Sequence, residues 1–317
     1  MESFLVAVNA VIPFFCYLAL GYTMKIKGVV SEEFLQKLNQ MVFRVFYPFM
    51  TFYNIYKADA ESLPRPLLLA DLGTNGELAL VDAQGRLWLA SVPLGPALEG
   101  IGPQCGRMAG PGSITRFEVS PLGLSCHSVD GPLAAGADVQ GISATGYLSL
   151  LALLLRLGCL DADGHFRTPA SPLARRVAPP PRQSRTGLCL PLPYGQWLAA
   201  ADVEELLKVK AAFSQALEAL LRAAGLAASE VACLALAGAL GEHCPPACLE
   251  ELGFLPSGMG RRVRAVGNSS LDGAALLAAE PWRLPALARW CATATLVPVA
   301  EDPGFHADYL RHMRFGV

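Results

Sequence analysis

Residues 71–77 read Asp-Leu-Gly-Thr-Asn-Gly-Glu and lie between two apolar runs, Leu67-Leu68-Leu69-Ala70 and Leu78-Ala79-Leu80-Val81. Runs this short, bounded by turn residues, form strands more readily than helices, so the order read here is strand, glycine-rich turn, strand. The second strand reaches Val81, turns at Asp82-Ala83-Gln84-Gly85 and resumes as Arg86-Leu87-Trp88-Leu89-Ala90-Ser91, which makes the motif the opening of a β-hairpin. A carboxylate at the end of a buried strand, here Asp71, can hold a metal ion or a water. Gly73 and Gly76 let backbone N–H groups approach a phosphate with no Cβ in the way. An ordinary Asp-Gly turn after an apolar strand has the same letters, so the short motif alone leaves both readings open.

The same strand-then-glycine logic recurs downstream, where Val231 to Ala237 runs into Gly238-Ala239-Leu240-Gly241. Two such turns in one sheet are what a nucleotide half-site requires. Between them, a helix is expected from Ala201 to about Ala224, with Asp202 as N-cap, Gly225 at the C′ position and Leu206, Val209, Phe213, Leu217 and Leu220 on one apolar face. An earlier apolar helix, Tyr147 to Leu157, is too short to cross a membrane. Thr168 to Pro193 contains Pro179-Pro180-Pro181 flanked by Arg175, Arg176, Arg182 and Arg185, and reads as an exposed loop or as a docking surface for an acidic partner.

Seven segments, taken in order and spacing, carry a resemblance: DLGTNGE at 71–77, LGPALEG at 94–100, CGRMAGPGSI at 105–114, GISATG at 141–146, LALAGALGEH at 234–243, LGFLP at 252–256 and VGNSSLDGAAL at 266–276. From Leu67 to Val317 the chain resembles the C-terminal domain of the reductive activators of corrinoid proteins, in the superfamily of acetate and sugar kinases, Hsp70 and actin. The resemblance implies an α/β fold, an actin-like (ribonuclease H-like) ATPase domain that is incomplete here. It also implies ATP and Mg2+ as cofactors, and ATP hydrolysis coupled to electron delivery that returns a corrinoid protein from cobalt(II) to cobalt(I). On the family's motifs, Asp71 is the catalytic and metal-holding carboxylate. Gly73, Thr74, Asn75 and Gly76 form the phosphate turn, Gly238 and Gly241 the second glycine turn near the adenosine, and Gly267 and Asn268 the late Gly-Asn turn. The chain departs from the family at Leu98, where Phe is usual, at Ala239-Leu240, where Gly-Gly or Gly-Phe is usual, and at Ser143-Ala144-Thr145, where a Cys-Gly-Ser run is usual.

A complete member would carry a second related lobe with its own phosphate loop and an iron–sulfur domain. One loop is present, and the nine cysteines at 16, 105, 126, 159, 189, 233, 244, 248 and 291 show no ferredoxin-type spacing, so no iron–sulfur cluster is expected in this chain. His243-Cys244-Pro245-Pro246-Ala247-Cys248 is the one local grouping suggestive of a metal. It lacks the second ligand pair that zinc needs and reads instead as a loop.

The first 59 residues differ in kind. Phe4 to Met24 carries no charge and is long enough, at about 1.5 Å per residue, to cross a hydrocarbon core of roughly 30 Å. It reads as a transmembrane helix, with a buried soluble helix as the alternative. A second, shorter segment, Met41 to Tyr56, is aromatic and broken by Pro48. Residues 1–59 resemble the start of the auxin efflux carrier family of permeases, whose first helix ends in a turn like Leu20-Gly21-Tyr22. Lys25, Lys27 and Lys37 favour a cytoplasmic loop between the two segments. The chain is expected to associate with the membrane through residues 4–24, either as a single span that leaves the later domain in the cytoplasm, the reading that Arg44 and the short second segment favour, or as a hairpin of two crossings that places it outside. Residues 60–66, including Pro64-Arg65-Pro66, read as a linker or as the seam of a fusion.

With 53% hydrophobic and 16% charged residues the chain has ample material for a core, and a net charge of −2 gives no case for nucleic-acid binding. The leading expectation is ATP-dependent reductive activation of a corrinoid protein. The alternatives are a noncatalytic or remnant binding module and a truncated permease.

Overall fold

The computed structural model of the chain describes residues 64–316 apart from Thr74, Leu122 and Thr186. The membrane segments, the permease resemblance and most of the 60–66 linker therefore lie outside the described residues. Among the described residues, no helix is long and apolar enough to cross a membrane.

A six-stranded mixed sheet organises this part. Its strands are β1 (Leu67–Leu72), β2 (Asn75–Val81), β3 (Leu87–Pro93), β4 (Cys233–Ala237), β5 (Val263–Ala265) and β6 (Thr295–Leu296), in the order β5-β4-β1-β2-β3-β6. The first three form an antiparallel meander, while β4 runs parallel to β1 and β5 parallel to β4. The expected turn between β2 and β3 is pinned by Asp82, whose Oδ1 accepts the amides of Gln84 and Arg86 at 2.9 Å each. Gly85 completes it at φ 80°, a conformation that favours glycine.

Period-two alternation explains why β1 and β4 read as unbroken apolar runs. Leu67, Leu69, Ala79, Val81, Leu87, Leu89, Cys233, Ala235 and Ala237 form one buried cluster, against which Val266 and Trp290 pack. Leu68, Ala70, Leu72, Leu78, Leu80, Val92, Leu234 and Leu236 belong to the other, larger cluster with the long helices. Both faces of the central strands are thus covered, as parallel pairing between them demands.

The helices are α1 (Ala144–Arg156), α2 (Pro172–Val177), α3 (Ala200–Ala224), α4 (Gly238–His243), α5 (Pro246–Leu252), α6 (Ser269–Ala279), α7 (Leu284–Cys291) and α8 (Phe305–His312). In α3 the expected apolar face, Leu206, Val209, Phe213, Leu217 and Leu220, is buried, and Gly225 ends the helix in the left-handed region at φ 69°. Asp202 is not the N-cap. Ala199 holds that position, and Asp202, three residues on, accepts the Ala199 amide at 3.1 Å and the Gln104 amide at 2.9 Å. One carboxylate therefore closes the first turn of the helix and ties it to a distant loop. Ser143 caps α1 by accepting the Gly146 amide at 3.2 Å, so the position where the chain departs from the family still carries a helix start.

Thr168–Pro193 is not the plain loop expected from its prolines. It contains α2 and two strands of a small antiparallel sheet whose order is 197–199, 187–191, 182–184. The three prolines sit between these elements, where a missing N–H costs no ladder hydrogen bond. At the far end, Lys210 is fully buried in α3 and its Nζ donates to the carbonyls of His312 (3.1 Å) and Arg314 (2.7 Å), fastening the tail after α8.

Candidate functional site

Strand order decides which of the candidate residues can meet. β1, β4 and β5 run in one direction, so their C-terminal ends emerge side by side, the position at which open α/β sheets take ligands. Asp71 lies at that end of β1, directly across from Ala237 at the end of β4. Gly238 follows Ala237, and Gly267-Asn268 follows β5. Three segments separated by up to 197 positions in sequence therefore share one edge of the sheet, from Asp71 to Asn268.

The contacts there are close. Gly238 adopts φ 77° and its amide donates to the Gly267 carbonyl at 2.9 Å, so the two glycine turns are joined to each other. A Cβ at position 238 would stand 3.2 Å from Asp71 Oδ1. Glycine keeps that space clear. Gly267 is also left-handed, at φ 67°. Asn268 caps α6 by accepting the Leu271 amide at 3.2 Å, which spends its side chain on orienting that helix.

The phosphate turn behaves differently from its expectation in two respects. The Gly73 amide donates to the Asn75 carbonyl at 3.0 Å, and Gly238 is likewise committed, so these glycines provide room rather than donors. Room is ample at Gly73, where an added Cβ would meet nothing closer than 3.9 Å. Gly76 is not in the turn at all. It pairs within β2 against Leu72 and Val92, and a Cβ there would come within 2.9 Å of Leu94 Cδ1, which makes it a packing glycine. Gly241 is another: its Cβ would lie 2.4 Å from the Leu236 carbonyl oxygen, so α4 needs glycine to pack on the strand that precedes it. Asn75, the first residue of β2, is exposed, and Thr74 lies outside the described residues. The edge thus assembles Asp71, Gly73, Asn75, Gly238, Gly267 and Asn268, and sets Gly76 and Gly241 apart.

Glu77 is a neighbour of Asp71 that the glycine motif concealed. Hairpin register places it directly opposite Asp71 on β1 and opposite Ser91 on β3. Opposed residues of an antiparallel pair project from the same face, so two carboxylates stand together at this edge. Burial pushes the Glu77 carboxyl from 4.5 up to about 7, partly countered by a backbone hydrogen bond. The signal was present in the sequence, since Asp71 and Glu77 are equidistant from the turn centre.

His243, Cys244 and Cys248 do not gather as metal ligands. Burial raises the pKa of both thiols, Cys244 most of all, which disfavours the thiolate that a metal would need. Among the described residues the grouping with metal-ligand spacing is Asp161, Asp163 and His165. Its acids are already engaged by Arg167 and Arg314. Cys105, Cys126, Cys159, Cys189, Cys233, Cys244, Cys248 and Cys291 are all free thiols. A cleft of about 450 Å³ lined by Val92, Leu94, Pro96, Val209, Phe305 and Tyr309 is largely apolar and includes neither Asp71 nor the glycines of the two turns in its lining.

Residues 65–316 match the family model described as the C-terminal domain of RACo, the ASKHA domain. The corrinoid activation enzyme RamQ of Eubacterium limosum is 28% identical over 258 residues, which cover 78% of this chain and 42% of that protein. The [Co(II) methylated amine-specific corrinoid protein] reductase of Methanosarcina barkeri is 28% identical over 240 residues, covering 70% of this chain and 40% of that protein. Among solved structures, a reductive activator for corrinoid, iron-sulfur protein superposes with a TM-score of 0.70 at 25% identity, covering 83% of this chain and 42% of that one. The chain thus spans about two fifths of the length of the relatives it matches.

Proposed function

This chain belongs to the family of the RACo C-terminal ASKHA domain, and from that premise we propose that it provides a nucleotide half-site for the ATP-dependent reductive activation of a corrinoid protein. Two of its relatives are named for acting on corrinoid proteins. The observation that carries the nucleotide reading is the junction at the sheet edge, where Gly238 bonds to Gly267 and, having no Cβ, keeps clear the space 3.2 Å from Asp71 Oδ1.

In this reading Asp71 holds Mg2+ directly or through a water, while Glu77 adds a second carboxylate beside it. The space left by Gly73 and Gly238 admits phosphate oxygens without a Cβ in the way. Donors come from the first two amides of α6, at positions 269 and 270, since the Leu271 amide is taken by Asn268, and the helix dipole favours an anion there. Asn268 keeps that turn aimed at the edge. When bound, ATP supplies the free energy of phosphoanhydride hydrolysis, and the chain's own residues position and neutralise its phosphates. A partner chain or further domain completes the site, and the electrons come from elsewhere, because the cysteines lack cluster spacing.

A noncatalytic binding module is the second reading, favoured by the described sheet providing a single edge of this kind. Calorimetric titration of the purified chain with ATP and Mg2+ tests the proposal. Binding is expected, and Asp71→Ala should weaken it about tenfold or more, as loss of a charged ligand does. A folded chain that takes up no ATP overturns the reading. Binding without phosphate release, even after a complementary lobe is added, leaves the noncatalytic module.

A further inference from the structure

From Gly164 to Ala201 the chain contains Arg167, Arg175, Arg176, Arg182 and Arg185 and not one Asp or Glu. In a chain of net charge −2 this is a marked segregation of charge, and the fold does not neutralise most of it. Arg167 is paired with Asp161. Arg175 and Arg176 donate to the carbonyls of Pro169 and Pro121, which hold loops together but leave their charge uncompensated. Arg182 and Arg185 are exposed, and neither forms an ion pair among the described residues.

These last two arginines border a cleft of about 480 Å³ on the small three-stranded sheet, together with Ser184, Cys189, Gln196 and Trp197, and no carboxylate lines it. Register explains the gathering. Arg182 pairs with Cys189, which pairs with Ala199, and Pro191 pairs with Trp197, so alternate residues of the three strands share one face. The indole of Trp197 is 39% exposed and is held by a hydrogen bond from Nε1 to Gln104 Oε1 at 3.0 Å, which gives the cleft a fixed aromatic wall. The outermost strand, 182–184, is exposed at every position and is paired on one side only within the described sheet.

We propose that this cleft and edge strand are a docking surface for an extended acidic segment of a partner protein. An unfilled sheet edge accepts an added strand through main-chain hydrogen bonds. Two guanidiniums with no internal partner select carboxylates and speed encounter, and a rigid tryptophan supplies the apolar anchor common at interface centres. The net negative charge of the whole chain disfavours a nucleic acid, whose closely spaced phosphates would face repulsion beyond the patch. The proposal does not depend on the nucleotide reading, because none of these residues lies at the Asp71 edge.

The test uses the full chain and a fluorescent Glu-rich peptide with interspersed apolar residues, followed by anisotropy at low and high salt. The peptide should bind, weaken at high salt and lose about tenfold or more in affinity in the Arg182→Glu/Arg185→Glu variant. Trp197→Ala should reduce binding even at high salt. Reversal of two exposed arginines elsewhere, Arg261→Glu/Arg264→Glu, should leave it unchanged. Equal loss from both double variants, or no loss from the first, overturns the proposal. So does a single-stranded oligonucleotide that binds more tightly than the peptide.

Discussion

Replacing Glu77 by Gln tests whether its carboxyl is buried at the edge of the sheet. The carboxyl is pushed from 4.5 to about 7, chiefly by burial. Below pH 4.5 it is protonated in the folded and unfolded chain alike and costs nothing. Between 4.5 and about 7 the unfolded chain releases the proton while the folded chain keeps it, so stability falls as pH rises, and above about 7 the full penalty applies. A shift of this size corresponds to an upper limit of about 3 kcal/mol. Water reaching a half-buried group reduces it to about 1–2 kcal/mol. Gln keeps the shape and removes the charge. Urea unfolding followed by tryptophan fluorescence should therefore show Glu77→Gln more stable than the parent by about 1–2 kcal/mol near pH 8 and equal to it near pH 4. A stability difference that does not change with pH would refute the argument, since it would mean that burial of the charge is not what the substitution relieves.

Three other substitutions separate fastening, binding and packing. Lys210 is held down to about 8 by burial and by the nearby Arg311 charge, so the folded chain loses that proton before the unfolded one does and gains stability as pH climbs from about 8 toward 10.5. Lys210→Met lacks this gain, and the parent's advantage over it should widen by up to about 3 kcal/mol across that window in parallel urea titrations. Gly238→Ala forces a left-handed residue against Asp71 Oδ1, and should cost about 1–2 kcal/mol in thermal unfolding while also weakening ATP binding. Gly241→Ala meets the Leu236 carbonyl instead, and should cost about 1–3 kcal/mol with ATP affinity of the folded chain unchanged.

What could be read in advance followed the strength of local signals. The 71–77 turn, the 82–85 hairpin, the face of α3 and its glycine stop are each set by residues within a few positions of one another, and period and turn chemistry suffice for them. The roles of individual glycines were less legible. Gly73 and Gly76 look alike in sequence, yet one closes a roomy turn and the other makes way for Leu94, a contact fixed only by β3. Asp202 has the composition of an N-cap, but its position three residues inside the helix comes from an added bond to Gln104, ninety-eight residues away. Pro179-Pro180-Pro181 masked a small sheet because proline marks breaks and says nothing about what the flanking strands pair with. Lys210 appears as one more helix surface charge until α8 and the tail cover it.

Hydrogen–deuterium exchange of the full chain with and without ATP and Mg2+ reads out whether nucleotide sits at the Asp71 edge. Added protection is expected to be confined to residues 71–75, 238–240 and 266–271, the three segments that meet at the ends of β1, β4 and β5. Protection falling instead on the apolar cleft lined by Val92, Leu94 and Phe305, or on none of the three segments in a chain that stays folded, would contradict it.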